Sequence, residues 1–142
     1  MGQALIQARK SERRGEVPVG AVAVFKGKKV AQAHNRSIES SDPSAHAEIL
    51  CLRRAARRLQ NYRLNDMIFY VTKEPCAMCA GAFLWGRVNK VVFGCADEKA
   101  GACGSVLDLS KVPEFNHRFE VVGGVLEKEC RKLLRGFFQR KR

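Results

Sequence analysis

MIFYVTKEPCAMCAGAFLWGRVNKVVFG, residues 67 to 94, carries the reading of the fold. Met67 to Thr72 is apolar, branched and aromatic, the composition of a buried strand. Pro75 opens a short helix through about Trp85, since proline suits a first helical position. Val88 to Gly94 is a second buried strand. Upstream, Val19 to Phe25 reads as a strand, Lys26-Gly27-Lys28-Lys29 as a turn, and Lys28 to His34 as its hairpin partner. Asp42-Pro43-Ser44 precedes a helix from about His46 to Leu59, with Ile49, Leu52, Ala56 and Leu59 on one stripe and Arg53, Arg54, Arg57 and Arg58 away from it. Ala4 to Arg14 reads as a first helix, Phe119 to Val122 as a last strand and Glu127 to Phe138 as a last helix. The segment from Ala96 to His117 is long, a length that functional loops often have. Helices alternating with near-continuous apolar strands make this an α/β chain whose sheet is covered on both faces.

The 142 residues suit one domain, 1–142, large enough for a core without disulfides. No repeat, low-complexity tract or Pro/Ser-rich linker divides it. Lys plus Arg total 26 against 14 Asp plus Glu, a formal charge of +12. That imbalance favours a polyanionic partner, nucleic acid before an anionic membrane surface. No apolar run is long enough to span a bilayer and no signal-peptide pattern opens the chain, so a cytoplasmic location is expected. In such a reducing compartment the six cysteines are thiols or metal ligands.

The chemistry concentrates in His46-Ala47-Glu48 and Pro75-Cys76-Ala77-Met78-Cys79. Cys76 and Cys79, three apart at a helix start, turn their sulfurs the same way, where free N–H groups favour thiolates. His46 adds a third donor, and three protein ligands with a fourth place open is the catalytic pattern for zinc. Glu48 lies where a structural site would want a fourth Cys or His. A carboxylate there can move protons to and from a water whose pKa the metal lowers. Residues two apart on a helix point roughly 200° apart, so His46 must sit at the helix edge for Glu48 to share its pocket. HxE alone or CxxC alone is weak, and a lone CxxC is equally a redox pair or half a zinc site. The joint pattern, with proline before the first cysteine, is the signature of zinc nucleobase deaminases.

On these residues the chain resembles the bacterial tRNA-specific adenosine deaminases, within the cytidine deaminase-like superfamily. The likeness runs through Glu16-Val17-Pro18-Val19-Gly20-Ala21-Val22, His34-Asn35-Arg36, Asp42 to Ile49, Gln60 to Leu64, Tyr70-Val71-Thr72, Glu74 to Ala82, Val91 to Gly94 and Asn116-His117-Arg118. It implies a three-layer α/β/α sandwich around a five-stranded mixed sheet, a homodimer, one Zn2+ per subunit and a tRNA anticodon stem-loop as substrate, chiefly that of an arginine tRNA. The implied reaction is hydrolytic deamination of the wobble adenosine to inosine. By the same likeness His46, Cys76 and Cys79 match zinc ligands and Glu48 the catalytic proton shuttle. Asn35 matches a nucleotide contact, Asp97 a position near the ribose and flanking backbone, and Val19 an apolar wall of the base pocket.

Family members usually have several residues before the point matching Met1, often with aromatics packing the first helix, which leaves that helix open to fraying or the true start upstream. Lys73 and Cys103 are less usual for the family, and neither is expected at the chemistry. The tail Arg131 to Arg142 is basic with two aromatics; its cations suit phosphates and Phe138 suits stacking on a base, against the alternative that both phenylalanines pack on the core. The four arginines at 53, 54, 57 and 58 are expected to be an exposed face, Cys51, Cys95, Cys103 and Cys130 small buried thiols, His117 structural, and Trp85 packed on neighbouring helices or a dimer partner. Three rivals remain: a deaminase of free bases or nucleosides, an RNA-binding module with structural zinc, and a CxxC redox protein.

Overall fold

The strand–helix–strand unit forms where the sequence places it. In the computed structural model, which describes Met1–Arg142, Met67–Lys73 is followed by a helix over Ala77–Trp85 and a strand over Lys90–Cys95. In chain order the elements are α1 (Gly2–Arg13), β1 (Gly20–Phe25), β2 (Lys28–His34), α2 (Ala47–Leu59), β3 (Met67–Lys73), α3 (Ala77–Trp85), β4 (Lys90–Cys95), β5 (Glu120–Val122) and α4 (Glu127–Lys141). They build one five-stranded sheet of order β2-β1-β3-β4-β5. β1 pairs antiparallel with both β2 and β3, while β3–β4 and β4–β5 are parallel. The tight Lys26-Gly27 turn, both residues at positive φ, permits the antiparallel hairpin. The parallel pair needs a crossover, and α3 provides it.

Alternation along the strands divides the side chains between two layers. Ala21, Ala23, Met67, Phe69, Val71 and Val91 join Ala47, Cys51, Ala55, Ala80 and Phe83 in the main core, under α2 and α3. Phe83 packs on Phe69 with ring centroids 4.9 Å apart and edge-on to Phe119 at 6.1 Å. The other face is covered by α1 and α4, which also touch each other. Those helices lie close because the strands present glycine: a Cβ on Gly20 would run into the backbone of Ala4 and Ala8, and one on Gly94 into Cys130. The sandwich of helices, mixed sheet and helices is therefore the observed fold.

Element ends differ from expectation in instructive ways. Pro75 lies outside α3, with Cys76 as the extended N-cap residue at φ −76° and ψ 175°, because Pro75 passes its carbonyl to Ala102 N–H instead. β4 starts at Lys90 because Arg87 takes a positive φ and Val88 N–H bonds back to Phe83, closing α3. α4 runs on to Lys141, so the basic tail is helical almost to its end. The segment between β4 and β5 folds on itself, with a 3-10 turn at Leu109–Lys111 and isolated bridges Cys76 to Gly101 and Cys103 to Asp108. No helix is long and apolar enough to cross a membrane.

Candidate metal centre and base pocket

The condition on His46 is met by backbone geometry. Asp42 accepts hydrogen bonds from the Ser44 N–H at 2.8 Å and its hydroxyl at 2.7 Å, forming a turn just ahead of α2. His46 then sits at the N-cap in extended conformation, φ −72° and ψ 150°, and Glu48 falls in the first helical turn. The free N–H of Ala47 is taken by Asn35 Oδ1 at 2.7 Å, so a residue from the end of β2 caps α2. Nonhelical at 46 and helical at 48, the chain turns both side chains into one space.

His46 Nδ1 lies 3.7 Å from Cys76 Sγ and 3.6 Å from Cys79 Sγ, and the three donor atoms all fall within 4.8 Å of one another. A tetrahedral zinc with Zn–S of about 2.3 Å and Zn–N of about 2.0–2.1 Å separates its nitrogen and sulfur ligands by about 3.6 Å. Donor types and spacing thus fit zinc with one position left over. Cys76 is the N-cap of α3 and Cys79 stands in its first turn. A hydrogen bond from Cys79, then one from His46, bring the Cys76 thiol down to about 3 despite partial burial. Cys79, bonded to that thiolate and buried, is pushed strongly up. His46 is raised, first by Cys76, against the effect of burial. A half-buried thiolate beside a buried thiol is what a dication would discharge. By contrast, burial pushes Cys51, Cys103 and Cys130 up to about 12, which leaves them inert thiols as expected.

Glu48 is buried at 4% exposure, and burial raises its carboxyl to about 7. It lines a cavity of about 300 Å³ together with His46, Cys76, Val19, Asn35, Asp97 and Phe138. Every residue assigned to the substrate from sequence therefore reaches the same space as the donor cluster. Val19 is buried, forming an apolar wall, and its carbonyl accepts the Asn35 N–H at 3.1 Å. Phe138 is 48% exposed at the mouth while Phe137 is buried, so the aromatic pair of the tail splits between core and cavity.

Three ionisable residues of the cavity escaped sequence reasoning. Lys73, placed away from the chemistry on sequence grounds, lines it and pairs with Asp97 Oδ2 at 2.7 Å. Burial alone would raise the Asp97 carboxyl, but the Lys73 bond and the Lys99 and Ala100 N–H groups outweigh it and hold it low. Glu74, buried, accepts N–H from Asp97, Cys103 and Ser105, each at 3.0 Å, and the Ser105 hydroxyl. It thereby folds the loop after β4 against the donor cluster, and Gly101 leaves room for its carboxylate. Glu16, also buried, accepts N–H from Ile38 at 3.2 Å and Glu39 at 2.7 Å, fixing the opposite rim. The motif stretches GEVPVG and KEPC carried a signal: a carboxylate set beside a proline in an otherwise apolar run is a buried acceptor in waiting.

Beside the cavity a wider depression of about 890 Å³ is lined by Lys73, Lys99, Arg131, Arg135, Lys141 and Arg142 among others, and shares Lys73, Asp97 and Phe138 with it. Elsewhere His117 Nε2 bonds the Val88 carbonyl at 2.7 Å, a structural role as expected, and Arg53, Arg54, Arg57 and Arg58 are exposed. Trp85 is 84% exposed and does not pack on neighbouring helices of its own chain.

The family model for MafB19-like deaminases matches residues 1–142. A tRNA-specific adenosine deaminase of Bacillus subtilis is 47% identical over 139 residues, 98% of this chain and 86% of that protein. Another, of Haemophilus influenzae, is 48% identical over 143 residues, 100% of this chain and 83% of that protein. A solved structure from work on A-to-I editing by tRNA:A34 deaminases at the wobble position of transfer RNA has a TM-score of 0.91 and 40% identity, over 94% of this chain and 97% of that one. Matched end to end by that model and over nearly their whole length by these enzymes, the chain belongs to the deaminase family and, within it, to the tRNA-specific adenosine deaminases.

Proposed function

We propose that the protein hydrolyses adenosine to inosine at the wobble position of a tRNA anticodon, releasing ammonia. One observation carries this reading: the cavity lined by Glu48 and by the His46 and Cys76 donors adjoins a basin lined with cations, sharing Lys73, Asp97 and Phe138 with it. A deaminase of free bases has no use for that basin. A structural zinc would leave no place for a buried glutamate, and a redox CxxC pair would leave no role for His46.

His46, Cys76 and Cys79 hold the metal in this reading. When bound, zinc supplies a Lewis acid that brings water to nucleophilic strength near neutral pH. An adenosine already loosened in an anticodon loop enters base-first, at modest unstacking cost. Val19 walls the base, Asn35 holds its edge or ribose from a capped and rigid position, and Asp97 faces the flanking backbone. Glu48 takes one proton from the attacking water and passes it to ring N1, then takes the second from the new C6 hydroxyl and passes it to the C6 amine, so that ammonia leaves as the C6 carbonyl forms. Burial raises the Glu48 carboxyl, so it holds a proton more readily than a free carboxylate and can both take and return one. Phe138 stacks on a neighbouring base, and the basin cations take the loop phosphates.

The finer assignments extend the same reading: an arginine tRNA as the main substrate, a homodimer through the exposed face of α3, and the cytoplasm, where tRNA is matured, as the site of action. The test is incubation of zinc-loaded protein with in vitro transcribed tRNAs carrying A at the wobble position, alongside free adenosine, cytidine and guanine. Inosine at position 34 of an arginine tRNA is the expected product. Turnover of a free base with none of the tRNA would replace this reading with its first rival.

A further inference from the structure

Lys73 ends β3, and its side chain is 32% exposed. It is the one Lys or Arg lining the cavity that holds Glu48, where the other ionisable groups besides His46 and Cys76 are the carboxylates of Glu16, Glu48, Glu74 and Asp97. Glu16 and Glu74 are engaged by backbone N–H groups, which leaves Asp97 as the partner of Lys73. Lys73, Asp97 and Phe138 are also the three residues shared with the cationic basin, so Lys73 stands where the two spaces meet. A nucleotide inserted base-first leaves its phosphates at that junction.

We propose that Lys73 binds the phosphodiester adjoining the inserted nucleotide, exchanging Asp97 for it as the RNA enters; the proposal rests on the tRNA reading above. The exchange is inexpensive. A partly exposed ion pair contributes little to stability, while an ammonium–phosphate contact is a charge-assisted bond. Asp97 keeps its place when Lys73 leaves, because its other oxygen, Oδ1, accepts the N–H groups of Lys99 at 3.0 Å and Ala100 at 3.2 Å. Its side chain is also the more buried of the two, 11% against 32% exposed, so the lysine is the partner free to swing. In the unliganded protein the pair is self-neutralising. With RNA bound, Lys73 rewards a polynucleotide and gives a free nucleoside nothing, so it acts as a specificity residue.

The experiment uses zinc-loaded protein and an anticodon stem-loop in which the phosphodiester on one side, then the other, of the target adenosine is a neutral methylphosphonate. With wild type, one of the two neutral linkages raises KM about tenfold, the scale of one charged hydrogen bond. Lys73→Met raises KM on unmodified RNA by a similar factor and loses nothing further on that neutral linkage. Lys73→Arg recovers most of the loss, and the slope of log KM against log salt falls by about 0.7 in Lys73→Met, one phosphate contact fewer. Additive losses from variant and neutral linkage, no effect of either linkage on wild type, or a fall in kcat shared by every RNA would overturn the proposal; the last would mean that Lys73 only orients Asp97. Should wild type make no inosine on unmodified RNA, the tRNA reading itself falls and takes the proposal with it, a result distinct from the others.

Discussion

Two residues of ideal helix would carry Glu48 to the side opposite His46, roughly 200° around the axis. The chain avoids this by leaving His46 extended at the N-cap and starting the helix at Ala47. That arrangement was legible in the sequence, because Asp42-Pro43-Ser44 is a turn followed by a helical stripe. What supports it was not: Asn35 reaches Ala47 from twelve residues upstream, and Glu16 and Glu74 spend their charges on loops 22 to 31 residues away. Such contacts are properties of the tertiary fold, and Lys73 was misjudged for the same reason. The residue-scale prediction concerns Glu48. Glu48→Gln keeps the size and leaves the three donors in place, so metal content by atomic absorption stays at one zinc per chain. Turnover of wobble adenosine falls by on the order of 10²–10⁴ or more. A zinc-loaded Glu48→Gln protein with full activity would remove the proton shuttle from Glu48.

Strands and helices were legible because apolar composition and periodicity are local. The segment from Ala96 to His117 was not, since its bridges, its 3-10 turn and its bonds to Glu74 have no period to read. Two predictions belong to elements. The first tests the close approach of α1 to β1. In Gly20→Ala the new Cβ meets the backbone of Ala4 and Ala8, which no rotamer change relieves, so α1 must move off the sheet. A loss of about 1–3 kcal/mol in urea unfolding is expected; an unchanged midpoint would mean that α1 sits more loosely. The second concerns the end of β2. His34 is buried, with Nδ1 2.9 Å from the Asn35 carbonyl. Burial lowers its pKa below 6.5; the backbone bond opposes this, and the cations of Lys10, Arg14 and Arg36 add to the lowering. The unfolded chain thus takes up the proton first. The contribution is complete above pH 6.5 and is lost as pH falls from there through the lower folded value. The unfolding midpoint of wild type should drop across that window more steeply than that of His34→Asn, which retains a donor but cannot titrate. Parallel pH profiles would show that His34 is protonated in the fold as readily as outside it.

At the scale of the molecule, the +12 charge and the apolar surface serve different partners. The cations of α4 and Lys99 surround the cavity mouth, where RNA would lie. A separate group of exposed apolar side chains lies along α3. Met78, Gly81, Ala82 and Trp85 follow one another at helical spacing along α3, Met78 and Trp85 at 40% and 84% exposure, and Phe115 lines a hollow with Gly81, Leu84 and Trp85. A tryptophan so exposed on an apolar helix face is a surface awaiting a partner, and an interface core favours aromatic and methionine side chains with few charges. A second copy of the chain is the expected occupant. The same helix carries Cys76 at its N-cap and Cys79 in its first turn, so pairing along α3 would also hold these two donors in place. Trp85→Glu puts a charge on that face without touching the core, since Trp85 is 84% exposed. Light scattering should move from twice the chain mass to the chain mass, with zinc content unchanged and activity on tRNA reduced along with the dimer fraction as protein is diluted. If Trp85→Glu keeps the dimeric mass, the interface lies off α3; if wild type itself has the mass of one chain at micromolar concentration, the exposed face serves some partner other than a second copy.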